Sequence, residues 1–233
     1  MQNILITGVS SGLGEALTEL YLKNGDSVYA IGKSIPKQFE RYHNFFFFPY
    51  DLSETFMLGV SVKEFIAHHS FDVVILNAGI LGDMGSLSMT NTGDIKEVME
   101  INTWSNKELI DAILEYAHAK QVVAISSNAG NTGFQGLGAY SLSKAALNML
   151  ISVYAKELPD MHFTSISPGL MSTKMMENIN SAANFGSISS SQKLEEGIMH
   201  TPEETAKLLV NALPELRAQE SGSFIDLMTM DYY

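Results

Sequence analysis

The sequence predicts the α/β class: a doubly wound parallel sheet of about seven strands with helices on both faces. Three observations lead there. Short apolar runs alternate with amphipathic helical stretches along the whole chain, and strands joined through helices pair in parallel. Glycines cluster in the turn between the first apolar run and the first helical stripe. The 233 residues contain 45% hydrophobic and 17% charged residues, with no repeat and no glycine- or proline-rich linker, so the reading is a single domain over 1–233.

Taken in order, Ile4, Leu5 and Ile6 form a buried strand closed by Thr7-Gly8. Leu13, Ala16, Leu17, Leu20 and Tyr21 then make one stripe, which predicts a helix over 12–24 that stops at Asn24-Gly25. Strands follow at 27–31 and 45–48. The second of these is four consecutive phenylalanines, as expected of a strand covered on both faces. A helix over about 53–69 and a strand over 72–76 come next. The segment 94–118 carries Ile95, Val98, Met99, Leu109, Ala112, Ile113 and Tyr116 on a helical stripe. After a strand at 122–125, the helix carrying Tyr140 runs to about Glu157 and stops before Pro159. Strands at 163–166 and 224–227 flank a last helix, opened by Thr201 as cap, Pro202 at its first position and Glu203-Glu204 in its first turn. The stretch 170–200, rich in Ser, Asn, Met and Gly, reads as a long irregular loop of the kind that covers a substrate site.

Composition narrows the function classes. A formal charge of −12 argues against nucleic acid or an anionic membrane as partner. With no cysteine there is no disulfide, thiolate nucleophile or zinc–thiolate site. The histidines, including His68-His69, lack metal-binding spacing, so no metal is expected. No apolar run approaches the ~20 residues of a membrane span, and Met1-Gln2-Asn3 leads straight into the first strand without a leader. A soluble, cytoplasmic protein is the expectation.

Two features carry chemistry. The turn from Thr7 to Gly14 has the spacing G-x-x-x-G-x-G, with Gly8, Ser10, Ser11, Gly12, Leu13 and Gly14 between a strand and a helix N-terminus. Glycines there let backbone N–H groups approach a pyrophosphate. At the end of the second strand, an acid would bind a ribose 2′-hydroxyl and a base would accommodate a 2′-phosphate. Lys33-Ser34 follows Ile31-Gly32 with no acid, which favours NADP over NAD. The second feature is Tyr140 with Lys144, four residues apart on one helix face. An ammonium near a phenol lowers the phenol's pKa and makes it a usable acid and base.

Together with Asp51-Leu52, Asn77-Ala78-Gly79, Asn102, Ser126-Ser127 and Pro168-Gly169, these motifs occur in the order found in short-chain dehydrogenases/reductases, and the chain resembles the compact branch of that family. The resemblance implies a Rossmann-like fold and hydride transfer between NADP and a small-molecule carbonyl or alcohol. It implies Ser127, thirteen residues before Tyr140, as the group that hydrogen-bonds the substrate oxygen. Strand alternation points Ser126 elsewhere. Tyr140 would be the proton donor and Lys144 would lower its pKa and hold the nicotinamide ribose. Asn102 lies on the apolar stripe of its helix, and two readings stand: a core amide satisfied by backbone, or the family's water-holding link in a relay to Lys144.

The family pattern further implies Asp51 and Leu52 at the adenine, Asn77 to Gly79 beside the adenosine ribose, and Pro168, Gly169, Met171 and Thr173 around the nicotinamide. Two departures stand out. Leu76 replaces an asparagine, and Ser11 stands where NADP-preferring members often have a second base. Met84, Phe134, Met171, Met175, Met176 and Phe185 suggest an apolar, adaptable pocket. The Tyr140 helix is apolar nearly all round, which fits an outer face covered by a partner subunit or by a cap within the same chain, and the resemblance implies a homodimer or homotetramer through it and the 94–118 segment. The alternatives are a catalytically silent NADP-binding regulator of the same fold and a non-redox epimerase or dehydratase.

Overall fold

The computed structural model of the chain describes residues 1–184 and 199–230. Strands β1 (Asn3–Thr7), β2 (Ser27–Gly32), β3 (Phe45–Pro49), β5 (Val73–Leu76), β7 (Gln121–Ile125), β8 (His162–Ser167) and β9 (Ser223–Asp226) form one seven-stranded sheet. Its order is β3-β2-β1-β5-β7-β8-β9, and every pairing is parallel. The order reverses beside β1, between β1 and β5, which opens a crevice at the carboxyl ends of the strands. The two-residue strands β4 (Ser70–Phe71) and β6 (His118–Ala119) pair apart from it.

Alternation along each strand decides which side chains meet which helices. Leu5, Tyr29, Val74, Leu76, Val122, Ala124 and Phe163 face one way. They meet α2 (Thr55–Ile66), α4 (Ser105–Tyr116) and α5 (Gly138–Glu157). Ile4, Ile6, Val28, Val73, Ile75, Val123 and Ile166 face α1 (Gly12–Lys23) and α7 (Pro202–Ala218) on the other side. Each fully buried valine, leucine, isoleucine or phenylalanine among them contributes about 1.5–3 kcal/mol. A capping box opens α7: Thr201 Oγ1 accepts from Glu204 N at 3.1 Å, and Glu204 Oε2 accepts from Thr201 N at 2.8 Å.

Several expectations change. The phenylalanine run is not a fully covered strand: β3 is the outermost strand, all five of its residues are only partly buried or exposed, and Phe46 is 41% exposed. Phe45 and Phe47 still pack on the α1 side, and Phe48 on the α2 side. The helix expected at 53–69 is the shorter α2, and His68 beyond it takes a left-handed φ of 63°.

The expected single helix over 94–118 comprises α3 (Thr92–Met99), a π-helical segment (Glu100–Trp104) and α4, and it ends before His118 enters β6. The stretch 170–200 is not wholly irregular, because α6 (Lys174–Asn184) occupies its first half. Phe185 and the rest of that stretch to 198 lie outside the described residues. Leu227 falls just past β9, in a 3-10 turn. Among the described residues no helix is long and apolar enough to cross a membrane.

Candidate active site

The carboxyl ends of β1, β2, β5, β7, β8 and β9 form the floor of one cleft of about 1330 Å³. On its β1 side, Gly8 and Gly12 take φ of 72° and 59°, a region where only glycine is unstrained. A Cβ on Gly8 would lie 2.9 Å from Ala78 Cα. Thr7 Oγ1 accepts from Asn77 N and Ala78 N, each at 3.0 Å, and Asn77 Nδ2 donates to Thr7 O at 3.0 Å and Gly8 O at 2.8 Å. The glycine turn is therefore fastened to the end of β5.

The sheet link missing at Leu76 is supplied one residue later, and Leu76 itself is fully buried in the core. Gly14 does not line the cleft. It lies inside the turn, where a Cβ would stand 2.1 Å from Gly8 O and 2.4 Å from Asn77 Nδ2.

Ser10, Ser11, Gly12, Leu13, Lys33, Ser34, Asp51, Leu52, Asn77, Ala78 and Gly79 all line the cleft. Lys33 and Asp51, assigned separately from sequence, meet: Lys33 Nζ lies 2.9 Å from Asp51 Oδ2. The pair is largely exposed, so its Coulombic worth is small. Opposite the glycine turn, Pro168, Gly169, Met171 and Thr173 line the same cleft, with Thr173 Cγ2 3.5 Å from the point a Gly12 Cβ would occupy.

Helix α5 places Tyr140 and Lys144 on one face toward the end of β7. Tyr140 lines the cleft beside Ser127, whose hydroxyl acts on the phenol. Ser127 caps the short turn after β7 and its Oγ also accepts from Ala129 N at 3.1 Å. Ser126 does turn away, donating to Asn148 Oδ1 at 2.5 Å. Lys144 Nζ lies 5.6 Å from the centre of the Tyr140 ring and donates to Ile125 O at 2.7 Å.

Burial raises the Tyr140 phenol above its ordinary value, with the Ser127 hydroxyl pulling the other way. The ammonium stands over the ring rather than at the hydroxyl, and burial lowers its own pKa to about 8.

Asn102, fully buried in the π segment, does not line the cleft. Its Oδ1 accepts from Ile80 N at 2.8 Å, and its Nδ2 donates to Ile80 O at 2.8 Å and Ser143 Oγ at 2.9 Å. A Cβ on Gly79 would lie 3.2 Å from Asn102 Oδ1 and 3.4 Å from Lys144 Nζ, so both groups flank one point on the cleft wall.

The far side of Tyr140 is apolar. Leu81 and Leu137 are buried there, with Met84, Phe134, Met175, Ile179 and Ala182 packed against them and the tyrosine ring. Phe134, Met171, Met175 and Met176 line the cleft as expected, while Met84 stays behind its wall. Sequence reasoning missed Asn148, Asn131, Asn128 and Asp226. Asn128 Nδ2 donates to Asp226 Oδ2 at 2.7 Å, across the end of β8. Only the topology brings those two residues together; the position of Asn148, four residues past Lys144, was a readable signal.

The comparisons agree with this architecture. The crystal structure of a short-chain dehydrogenase family protein from Francisella tularensis superposes with a TM-score of 0.82 at 28% identity, covering 97% of this chain and 96% of that one. A short-chain dehydrogenase/reductase of Saccharomyces cerevisiae gives a TM-score of 0.84 at 26% identity, with coverage of 97% and 96%. In sequence, a benzil reductase ((S)-benzoin forming) of Bacillus cereus is 30% identical over 91% of this chain and 94% of its own length. The family described as short chain dehydrogenase matches residues 2–184. That match runs from the start of β1 to the end of α6 and takes in the glycine turn, Ser127, Tyr140 and Lys144. The chain belongs to the short-chain dehydrogenase family and is an oxidoreductase of its NAD(P)-dependent type.

Proposed function

We propose that the protein interconverts a carbonyl and a secondary alcohol with NADP(H), with Tyr140 as general acid and base. The observation that carries this reading is that Ser127 and Tyr140 line the same cleft as the glycine turn, with the serine hydroxyl beside the phenol. A sheet of this topology does not require two hydroxyls from separate elements to converge there.

The cleft fits a dinucleotide. Gly8 and Gly12, bare and left-handed, line the cleft at the start of α1, where backbone would face a pyrophosphate, and Gly14 lets the turn close behind them. Ser10, Ser11, Gly12 and Leu13 would hold the phosphates. Asp51 and Leu52 would hold the adenine, and Asn77, Ala78 and Gly79 the adenosine ribose. Lys33, with Ser34, would bind a 2′-phosphate by leaving Asp51, an exchange made easy by the exposure of the pair. Tyr140, Lys144, Pro168, Gly169, Met171 and Thr173 would surround the nicotinamide riboside. A nicotinamide cofactor bound there supplies the hydride.

The chain's own residues handle the proton. Ser127 donates to the substrate oxygen as negative charge builds on it, and Tyr140 gives that oxygen its proton. Burial keeps the phenol protonated in the free protein, the state that reduction needs. In oxidation the same oxygen must take a proton, so the rate of alcohol oxidation rises with pH through the alkaline range. Lys144, over the ring, stabilises the phenolate once the proton has gone. Asn102 stays in this set as the buried amide that holds the Gly79–Ile80 backbone beside Lys144 and leads a relay to it.

The substrate is a neutral carbonyl with an apolar flank, because Phe134, Met175 and Ile179 form the wall beyond Tyr140. The name of the Bacillus cereus relative points to the same class, since benzil is a diaryl diketone. We also read the outer faces of α4 and α5 as the contact of a homodimer or homotetramer. NADPH consumption over a panel of aryl and alkyl ketones tests the activity. Tyr140→Phe should abolish turnover with NADPH still bound, and an active Tyr140→Phe protein would refute the proton-donor role. Lys33→Ala should weaken NADPH binding about tenfold, a loss of ~1.4 kcal/mol, and leave NADH binding unchanged.

A further inference from the structure

Helix α5 meets the end of β7 three times along one stripe. Tyr140 stands beside the Ser127 hydroxyl, Lys144 Nζ donates to Ile125 O, and Asn148 accepts from Ser126 Oγ at 2.5 Å. These positions are spaced at i, i+4 and i+8, so each looks at the same segment from successive turns. Asn148 does more than accept. Its Nδ2 donates to Asn131 Oδ1 at 3.1 Å, so one side chain grips the turn both before and after Ser127. Between those grips, Gly130 presses on the helix: a Cβ there would lie 2.8 Å from Asn148 Nδ2 and 2.9 Å from Lys144 O.

We infer that Asn148 is a positioning residue for the Ser127 hydroxyl, holding the 126–131 turn against α5 so that Ser127 stays aimed at the oxygen of Tyr140. The inference rests on the roles given above to Ser127 and Tyr140. Its physical basis is the short lever: Ser126 is Ser127's immediate neighbour, and Asn131 closes the turn that Ser127 caps. A displacement of about 1 Å at a group that stabilises developing charge costs on the order of tenfold to a hundredfold in rate. Loosening the turn is therefore felt at Ser127 before it is felt anywhere else in the cleft.

A double-mutant cycle reads this directly. Asn148→Ala should lower kcat about tenfold on the best ketone, with the dissociation constant for NADPH unchanged. In a Ser127→Ala background the same change should cost less than twofold, because the group it positions has gone. The pH profile of alcohol oxidation supplies a second readout. Since the Ser127 hydroxyl pulls the tyrosine pKa down, Asn148→Ala should move the rising limb to higher pH, toward that of Ser127→Ala.

Equal losses in both backgrounds, or no loss with Ser127 present, would overturn the inference. If Asn148→Ala does not fold, Ser126→Ala cuts one grip and should show the same non-additivity at smaller amplitude; additive losses there would overturn it too. Failure of the underlying reading looks different: Ser127→Ala and Tyr140→Phe would then retain full turnover.

Discussion

At the residue scale, a single buried charge makes the sharpest forecast. Lys144 is 3% exposed, its ammonium donates to Ile125 O, and burial lowers its pKa to about 8. The unfolded chain, with an ordinary lysine, holds its proton about two units higher, so between these values the unfolded state binds more protons and stability rises with pH. Below pH 8 the folded protein carries the full cost of the buried ammonium, on the order of a few kcal/mol, reduced by the bond to Ile125. Lys144→Met should therefore raise Tm in the cofactor-free protein at pH 7, and the gain should shrink as pH climbs from 8 toward 10. A gain independent of pH across that range would show that the charge is not its source. Gly14→Ala is the opposite case. A Cβ 2.1 Å from Gly8 O would push α1 off the glycine turn, costing about 1–3 kcal/mol or more and most of the NADPH affinity, measurable by denaturant unfolding and cofactor fluorescence.

At the scale of elements, Asn102 stitches three of them together: the exit of β5 through Ile80, the π segment that carries it, and α5 through Ser143. Asn102→Leu would strand both backbone groups of Ile80, and at about 1–3 kcal/mol for each the expected loss is ~2–6 kcal/mol, read by chemical denaturation. Thr201→Ala removes one half of the α7 capping box and should cost about 1 kcal/mol in the same assay. What was legible in the sequence follows the same division. The core strands, the cap at Thr201 and the stripe of Tyr140 and Lys144 are local patterns, and the periodicity of a strand or helix displays them directly. The π segment leaves the apolar stripe of its helix nearly intact, so periodicity could not reveal it. The edge position of β3 depends on strand order, which four phenylalanines do not encode. Helix α6 hides because Ser, Asn and Gly dominate the stretch that contains it, although Met175 and Ile179 sit four apart on its buried side. The Lys33–Asp51 and Asn128–Asp226 pairs join residues far apart in the chain, and only the sheet order brings them together.

At the scale of the whole molecule, one surface does not match the rest. Helix α5 buries Leu147, Ile151 and Tyr154 against the sheet, yet its other face shows Leu142 49%, Met149 64% and Val153 44% exposed, at helical spacing. Trp104 at 43% and Leu114 at 41% expose further apolar area on the neighbouring segment. A net charge of −12 opposes self-association through most of the surface, but these positions bring no carboxylate of their own to that face. An apolar stripe on two adjacent helices suits a two-fold contact, in which the same face of a second copy covers it. Sedimentation equilibrium at micromolar concentration should give a dimer or tetramer mass. Met149→Glu puts one carboxylate from each copy into the contact, and like charges held together with little water cost several kcal/mol, so this variant should sediment as a monomer. Because Met149 lies on the face of α5 opposite the cleft, NADPH should still bind the monomer with unchanged affinity. A wild-type protein that is monomeric at these concentrations would rule out the contact, and a Met149→Glu protein that keeps its oligomeric mass would place the contact elsewhere on the molecule.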